Sequence, residues 1–225
     1  MTKVELNRDA IIDTAIALAD ADGLDAVSMR RIAERMGVGA MSLYRHIAHK
    51  DELLAAMTDA VAGRYPYPAP EGQGWNWRDR VRIAAEIDWA LYQRHPWVLL
   101  AFATPRYSFG PQSLACLGWL VEGLRELNVS TREATTMAFT VWNYISGATL
   151  PQVSTALMRR NDTNPDGDNG LRDLLSGAQK DRAPDALREL VGSGAEDLTP
   201  EDLLHIGLSA LCDGFEVRAA RRADV

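Results

Sequence analysis

The sequence contains few of the residues that support covalent or redox chemistry. It has two cysteines and four histidines in 225 residues, and Cys116 and Cys212 fall in apolar helical patterns without metal-ligand spacing. We therefore expect buried thiols rather than a disulfide, a metal site or a cofactor. There is also no nucleophile–base pair, no pair of carboxylates at a recognisable spacing and no phosphate-binding glycine loop, which argues against an enzyme.

Long apolar runs are absent as well. No stretch approaches the roughly 18 residues needed to span a bilayer. Residues 1–5, Met-Thr-Lys-Val-Glu, lead into a charged segment without the hydrophobic stretch or cleavage site of a signal peptide. We expect a cytoplasmic protein with no membrane partner. The hydrophobic content of 47% is nevertheless sufficient for a sizeable core.

Positive charge is scarce overall but concentrated in one segment. The net charge is −7, yet residues 28–50 carry five basic side chains against one acid, Glu34. Because DNA responds to local potential more than to total charge, this segment is a candidate DNA-binding surface. On charge alone, a solvated face on ordinary helices is the alternative.

The same segment has the pattern of two short helices joined by a tight turn. Ser28 is positioned to cap the first helix, and Gly37 ends it at a position that favours a positive φ. The buried face of the first helix is formed by Ile32, Ala33 and Met36. Leu43 anchors the second helix, whose outer N-terminal part would enter the major groove. The spacing predicts a helix-turn-helix.

These residues resemble the N-terminal domain of the TetR family of bacterial transcriptional repressors. The likeness runs over residues 6–62: an opening helix, the turn Asp22-Gly23-Leu24, the SMRRIAERMGV helix and turn, the segment Leu43-Tyr44-Arg45-His46, and a fourth helix starting at Lys50. The resemblance implies an all-α protein. We expect an N-terminal three-helix helix-turn-helix DNA-binding domain and a larger helical domain for ligand binding and dimerisation.

DNA contacts are expected from nine side chains of the motif. They are Ser28, Arg30, Ala40, Met41, Ser42, Tyr44, Arg45, His46 and Lys50. The resemblance implies phosphate contacts for Tyr44 and Lys50. Arg45 is suited to read guanine edges or to bind a phosphate, and both roles remain open. His46 and His49 have an HxxH spacing, but no third ligand accompanies them, so polar or phosphate contacts are favoured over a metal.

A connection follows the motif. Gly63, Pro66, Pro68, Pro70, Gly72 and Gly74 break the helical pattern within a few residues. We predict residues 1–64 as the DNA-binding domain and residues 65–225 as the effector-binding and dimerisation domain. Further helices are predicted over 76–95, 96–103, 111–127, from 130 onward, and from 199 onward. We expect Pro151 to kink or end the fourth of these, and residues 161–170 to form a mobile loop.

The second domain carries aromatic and polar residues that suit a small-molecule cavity. The expected lining is Asp88, Trp89, Tyr92, His95, Phe102, Trp119, Met137, Trp142 and Asn143. Asp88, Tyr92 and His95 are spaced by four and three, which places them on one helical face. Such a lining suits a small apolar or aromatic effector. Core packing of the aromatics, and a helix C-terminal position for His95, are the alternatives.

The resemblance extends toward the tetracycline repressors. These hold their drug through a magnesium ion, with a histidine ligand and an acidic neighbour. Here the position of that acidic residue falls near Pro151 and Gln152, which argues against tetracycline as the effector.

The last predicted helix has small residues beside its apolar face. The candidate dimer-interface residues are Leu203, Gly207, Ala210, Leu211 and Gly214. Glycine weakens a helix, so two on one side indicate a close packing partner. The resemblance implies a four-helix interface between two subunits, formed by residues 131–157 and 199–220. Tight packing within one subunit is the alternative.

Together these features predict a homodimeric, ligand-responsive repressor that binds a palindromic operator in double-stranded DNA. A DNA-binding regulator without a small-molecule effector, controlled by a protein partner or by abundance, is the alternative. An enzyme is the least favoured class.

Overall fold

A computed structural model describes residues 6–158 and 198–223 of the chain. These ranges form ten α-helices, and two short 3-10 helices lie at Leu24–Ala26 and Arg125–Leu127. The α-helices are α1 (Arg8–Asp22), α2 (Met29–Met36), α3 (Ala40–Leu43), α4 (Lys50–Arg64), α5 (Trp77–Arg94), α6 (Trp97–Phe102), α7 (Pro105–Ser108), α8 (Pro111–Leu124), α9 (Thr131–Met158) and α10 (Pro200–Ala223). The described part is all-helical, as the sequence predicts.

Local capping explains where α1 and α2 begin and where α2 ends. Asn7 accepts a hydrogen bond from the Ala10 amide at the start of α1, and Ser28 Oγ accepts one from the Arg31 amide at the start of α2. Gly37 ends α2 in the left-handed region with φ 69°, which glycine adopts without strain. Fully buried side chains from all four helices, including Ile11, Ile16, Ile32, Leu43, Leu53 and Met57, form the core of this head.

The recognition helix is shorter than expected. The sequence predicts a helix that includes residues 44–46, but α3 ends at Leu43 and a turn follows through His46. The His46 amide bonds to the Leu43 carbonyl, and the Ile47 amide bonds to the same oxygen. These bonds tighten the chain after one helical turn and bring it to the start of α4.

The second part begins with the long helix α5. Asn76 and Asp79 form a capping box at its start. Glu133 and Ser130 exchange hydrogen bonds at the start of α9. Helix α9 contains Pro151 and continues to Met158, so the expectation that this proline could end the helix is wrong. The predicted loop at 161–170 lies outside the described residues.

Helix α4 is the element shared by the two parts. It packs against α1 in the head and against α6, α7 and α8 in the second part, while α5, α8, α9 and α10 pack on one another. The short helix α7 was not predicted from the sequence. Helix α4 ends at Arg64, and the predicted boundary between residues 64 and 65 stays a prediction. Within 6–158 and 198–223, no helix is long and apolar enough to cross a membrane.

Candidate DNA-binding surface and effector cavity

The helix-turn-helix presents its predicted contact residues on the outside of the head. Met41 is 79% exposed and Tyr44 is 46% exposed, although both are large and apolar or aromatic. Arg45 and Lys50 are exposed beside them, whereas Leu43 is fully buried beneath them. The remaining predicted contacts on this stretch, Ala40, Ser42 and His46, are half-buried. The surface combines cations with an uncovered apolar patch, as base reading requires.

Two further predicted contacts are already engaged within the head. Ser28 is half-buried and caps α2. Arg30 is exposed, and its Nε lies 3.0 Å from Glu34 Oε1. This exposed ion pair is easily exchanged for a phosphate contact because surface pairs contribute little.

His49 acts as a helix cap. Its Nδ1 accepts a hydrogen bond from the Glu52 amide at 3.1 Å, and Lys50 is the first residue of α4. The Glu52 carboxylate in turn accepts from the Ala48 amide at 2.8 Å, which holds its pKa below the ordinary value. These contacts fix the chain that presents Lys50 to solvent.

A cavity of about 450 Å³ lies in the second part of the chain. This volume falls within the usual range for small-molecule sites. Its walls come from the end of α4, the following connection, α5 to α9 and the turn before α8. The lining residues are Ala62, Tyr65, Tyr67, Asp88, Leu91, Tyr92, Leu99, Leu100, Phe102, Ala103, Pro105, Ser108, Phe109, Ser113, Cys116, Phe139, Trp142, Asn143, Ser146, Gly147 and Leu150.

Five of the nine predicted pocket residues line this cavity. They are Asp88, Tyr92, Phe102, Trp142 and Asn143. Helical spacing brings Asp88 and Tyr92 to one wall from α5, and Trp142 and Asn143 to another from α9.

The other four predicted pocket residues do not line this cavity. Trp89 is buried in the core because it follows Asp88 by one residue and points about 100° away around the helix. Met137 lies near Phe215 of α10 on another face of α9. Trp119 donates its indole N–H to the Pro68 carbonyl at 2.8 Å.

His95 lies away from the cavity because it falls beyond the end of α5. Helix α5 ends at Arg94, and His95 has φ −129° and ψ 69°, so the helical spacing from Asp88 and Tyr92 no longer applies. Its Nδ1 lies 2.8 Å from Asp20 Oδ1 of α1. The same carboxylate oxygen accepts the Trp97 indole N–H at 2.8 Å. His95 therefore ties the second part to the head.

The polar groups of the cavity form a short chain. The Trp142 indole N–H donates to the Tyr67 hydroxyl at 3.1 Å, and this hydroxyl donates to Asp88 Oδ2 at 2.9 Å. Burial raises the pKa of Asp88 to about 7, although the Tyr67 hydrogen bond opposes the shift. Burial also raises the pKa of Tyr67 and of Tyr92, with the Asp88 charge adding to both shifts.

Several lining residues were missed by the sequence reasoning. Tyr65 and Tyr67 come from the proline-rich connection, where no periodicity assigns a direction to a side chain. Phe139 and Ser146, in contrast, lie three residues before and four residues after Trp142 on α9. That spacing could have identified them once Trp142 was chosen.

The cavity wall is bonded directly to helix α4. Arg106 Nη1 and the Tyr107 hydroxyl of α7 bind the Asp51 carboxylate at 2.8 and 2.7 Å. The Tyr107 bond, followed by the Arg106 charge, holds the pKa of Asp51 below its ordinary value. In addition, the buried Thr58 hydroxyl donates to the Tyr107 carbonyl at 2.6 Å. Asp51 is adjacent to Lys50, so the cavity and the DNA-binding surface share one helix.

The predicted interface residues of α10 fall into two groups, those exposed to solvent and those packed against their own subunit. Leu203, Ala210 and Gly214 are exposed, and nothing in the same chain lies within 4 Å of a Cβ built on Gly214. A Cβ on Gly207, in contrast, would overlap the Tyr144 hydroxyl of its own subunit. Gly207 therefore packs within its own subunit, as the alternative expects, and its place in a dimer interface stays a prediction. Leu211 is half-buried against the subunit core.

A basic helix-turn-helix joined to a larger helical part with a ligand-sized cavity defines a DNA-binding transcriptional regulator. The family model of bacterial regulatory proteins of the tetR family matches residues 11–57. The HTH-type transcriptional repressor DrrR1 of Streptomyces coeruleorubidus is 32% identical, over 98% of this chain and 81% of that protein. The chain belongs to the TetR family.

Solved structures agree with this assignment. Apo ActR from Streptomyces coelicolor superposes with a TM-score of 0.77 at 24% identity, over 99% of both chains. ActR in complex with actinorhodin gives a TM-score of 0.75 at 26% identity, over 96% of this chain and 99% of that one. The described part of the chain thus has the fold of a TetR regulator.

Proposed function

We propose that this protein is a ligand-responsive repressor that binds a palindromic operator as a homodimer and leaves it when a small molecule fills the cavity. The observation that carries this proposal is the attachment of α7, a cavity wall, to α4, whose first residue is Lys50. A ligand that displaces α7 also acts on the helix that fixes the DNA-binding surface. The ActR complex with actinorhodin, in a protein of the same fold, supports ligand control.

On DNA, some exposed side chains of the helix-turn-helix would contact phosphates and others would contact bases. Tyr44, Lys50 and Arg30 would contact phosphates and set the register. Met41 and Ala40 would pack against thymine methyl groups, and Arg45 would read guanine. The short α3 limits these base contacts to one helical turn per subunit, so two heads are needed for a site of useful length.

Dimerisation would use the exposed face of α10. Leu203, Ile206 and Val217 are each about half exposed although they are large and apolar. Ala210 and Gly214 lie between them at helical spacing and leave room for a second helix. A two-fold partner would cover this face with the same residues.

Control by ligand requires a difference in affinity between two arrangements of the heads. We infer that the effector binds the operator-free arrangement more tightly, so that operator and effector weaken each other's binding. The mostly aromatic and aliphatic walls suit an apolar, ring-containing molecule with a few hydrogen-bonding groups. We assign the protein no catalytic role and place it in the cytoplasm with its DNA.

The DNA-binding role is tested by footprinting on the DNA flanking the coding region. We expect protection of an inverted repeat whose half-sites lie about one helical turn apart or somewhat more, with affinity falling steeply as salt rises. Lys50→Ala should weaken binding to all sequences, and Arg45→Ala should also change base preference. Arg82→Ala, which removes an exposed cation from α5, serves as the control and should leave binding unchanged.

Ligand control is tested by operator release in the presence of candidate metabolites. Release by a compound whose binding is reduced in a stable Trp142→Phe variant would support the cavity as the effector site. Retained operator binding across a broad panel would favour a regulator controlled by a protein partner or by abundance. Absence of any specific footprint at moderate salt would remove the repressor assignment.

A further inference from the structure

Asp88 carries the one carboxyl group among the described residues that line the cavity. Asp88 lies on α5 and lines the cavity, where its side chain is only partly exposed. Tyr67 donates to its Oδ2 at 2.9 Å and is its one hydrogen-bond partner within the described ranges. Because Tyr67 itself accepts from Trp142, the chain of donors fixes the carboxyl in place.

No basic side chain faces this carboxyl among the described lining residues. The other titratable groups in the wall are Tyr65, Tyr67 and Tyr92, which carry phenols, and Cys116 of α8, which carries a thiol. Burial raises the pKa of the Cys116 thiol, so it is uncharged near neutral pH. Asp88 is therefore the single negative charge in a wall without a compensating cation.

A buried carboxylate without a cation is unfavourable, and burial accordingly raises the pKa of Asp88 to about 7. A ligand that carries its own positive charge would remove this imbalance by forming a charge-assisted hydrogen bond. The aromatic lining adds to the same preference, because the faces of rings such as Phe139 and Trp142, which pack edge to face, attract cations. A neutral hydroxyl could accept or donate a hydrogen bond at Asp88, but it would not balance the charge.

We propose that Asp88 makes this cavity selective for an effector with a protonated amine attached to an apolar, ring-containing body. This inference rests on the proposed role of the cavity as the effector site and names the chemistry of the molecule that fills it. Asp88 would bind the ammonium group, and the aromatic walls would enclose the rings. Tyr67 would hold the carboxyl oriented toward the ligand.

A matched pair of probes tests the preference: 9-(aminomethyl)anthracene and 9-(hydroxymethyl)anthracene, which differ in one charged group. Binding to the full-length protein is followed by the fluorescence anisotropy of the anthracene ring at pH 7.5. We expect the amine to bind about tenfold more tightly or better, as a hydrogen bond to a charged group implies. The amine affinity should rise between pH 5.5 and 8 as Asp88 ionises, while the alcohol affinity stays flat.

Two variants test whether the preference for the amine comes from the Asp88 charge itself or from the overall negative charge of the protein. Asp88→Asn keeps an acceptor for Tyr67 and should abolish the preference for the amine without changing the alcohol affinity by more than about twofold. Glu86→Gln removes the same charge from the outer face of α5, where Glu86 pairs with Arg82, and should preserve the preference.

The outcomes distinguish this inference from the proposed function. Equal binding of both probes, or an amine preference that survives Asp88→Asn, would overturn the amine selectivity alone, and operator release by the alcohol would leave ligand control intact. Failure of both probes to bind would overturn the selectivity together with the assignment of the cavity as a ligand site.

Discussion

Asp20 joins the head to the second part through two buried hydrogen bonds. Its side chain is 16% exposed, and its Oδ1 lies 2.8 Å from both His95 Nδ1 and Trp97 Nε1. His95 follows the end of α5, and Trp97 begins α6. Both side chains are buried, so neither finds water if the carboxylate is removed.

Asp20→Ala should therefore be strongly destabilising. A buried polar group that loses its partner costs about 1–3 kcal/mol, and two such groups are left, which gives a loss of about 2–6 kcal/mol. This is a large share of the 5–15 kcal/mol typical of a folded domain. Asp20→Asn retains an acceptor for the Trp97 indole and should lose less.

Urea unfolding at one fixed protein concentration, followed by circular dichroism, measures the effect. The matched control is Asp13→Ala on the same helix. Asp13 pairs with Arg64 at the surface, and its side chain is 63% exposed, so its loss should cost less than about 1 kcal/mol. Equal losses for the two alanine variants would refute the assignment of Asp20 as a buried link between the parts.

Three further predictions test separate regions. Asp88→Asn should stabilise the protein above pH 7 by up to about 4 kcal/mol in urea unfolding. The reason is that burial raises the pKa of Asp88 from 3.8 to about 7, so the wild type loses stability as pH rises between these values; the gain should vanish below pH 4. Gly214→Glu should yield folded monomers in sedimentation, whereas Gly207→Glu, which meets its own subunit, should destabilise the fold. Gly110→Ala, just before α8, would overlap the Asp59 carboxylate of α4 and should cost about 1–3 kcal/mol by urea unfolding. Its control, Gly118→Ala within α8, meets open space and should cost nothing.

The head could be predicted almost completely from the sequence because its signals are local. Ser28 and Gly37 each act on nearby backbone groups of α2, so their roles do not depend on the rest of the fold. The exception is the length of α3. The end of this four-residue helix depends on backbone hydrogen bonds, such as the one from the Ile47 amide to the Leu43 carbonyl. The hydrophobic periodicity of the sequence does not specify such bonds.

The cavity could be predicted only in part. Helical spacing groups residues by face, and it correctly placed Asp88 with Tyr92 on α5. Spacing alone does not show which face meets the cavity and which meets the core, and Trp89 and Met137 lie away from this cavity. The connection between α4 and α5 has no helical periodicity, so the sequence does not indicate where its side chains point. Tyr67 lies in this connection and nevertheless makes the central hydrogen bonds of the site.

The contacts along α4 differ in how well each could transmit a change at the cavity. At its N-terminal end, the Arg106–Asp51 pair is exposed to water, which weakens such pairs and lets salt screen them. In the middle, Thr58 is fully buried and donates to the Tyr107 carbonyl at 2.6 Å, a bond that water cannot replace when α7 moves. At the C-terminal end, Ala62 itself lines the cavity. A ligand would thus act on α4 mainly through its middle and C-terminal turns. An α-helix rises by about 1.5 Å per residue and moves as a unit. A displacement of the middle or C-terminal turns of α4 would therefore also move Lys50 at its N-terminal end, and the exposed Asp51 contacts would break.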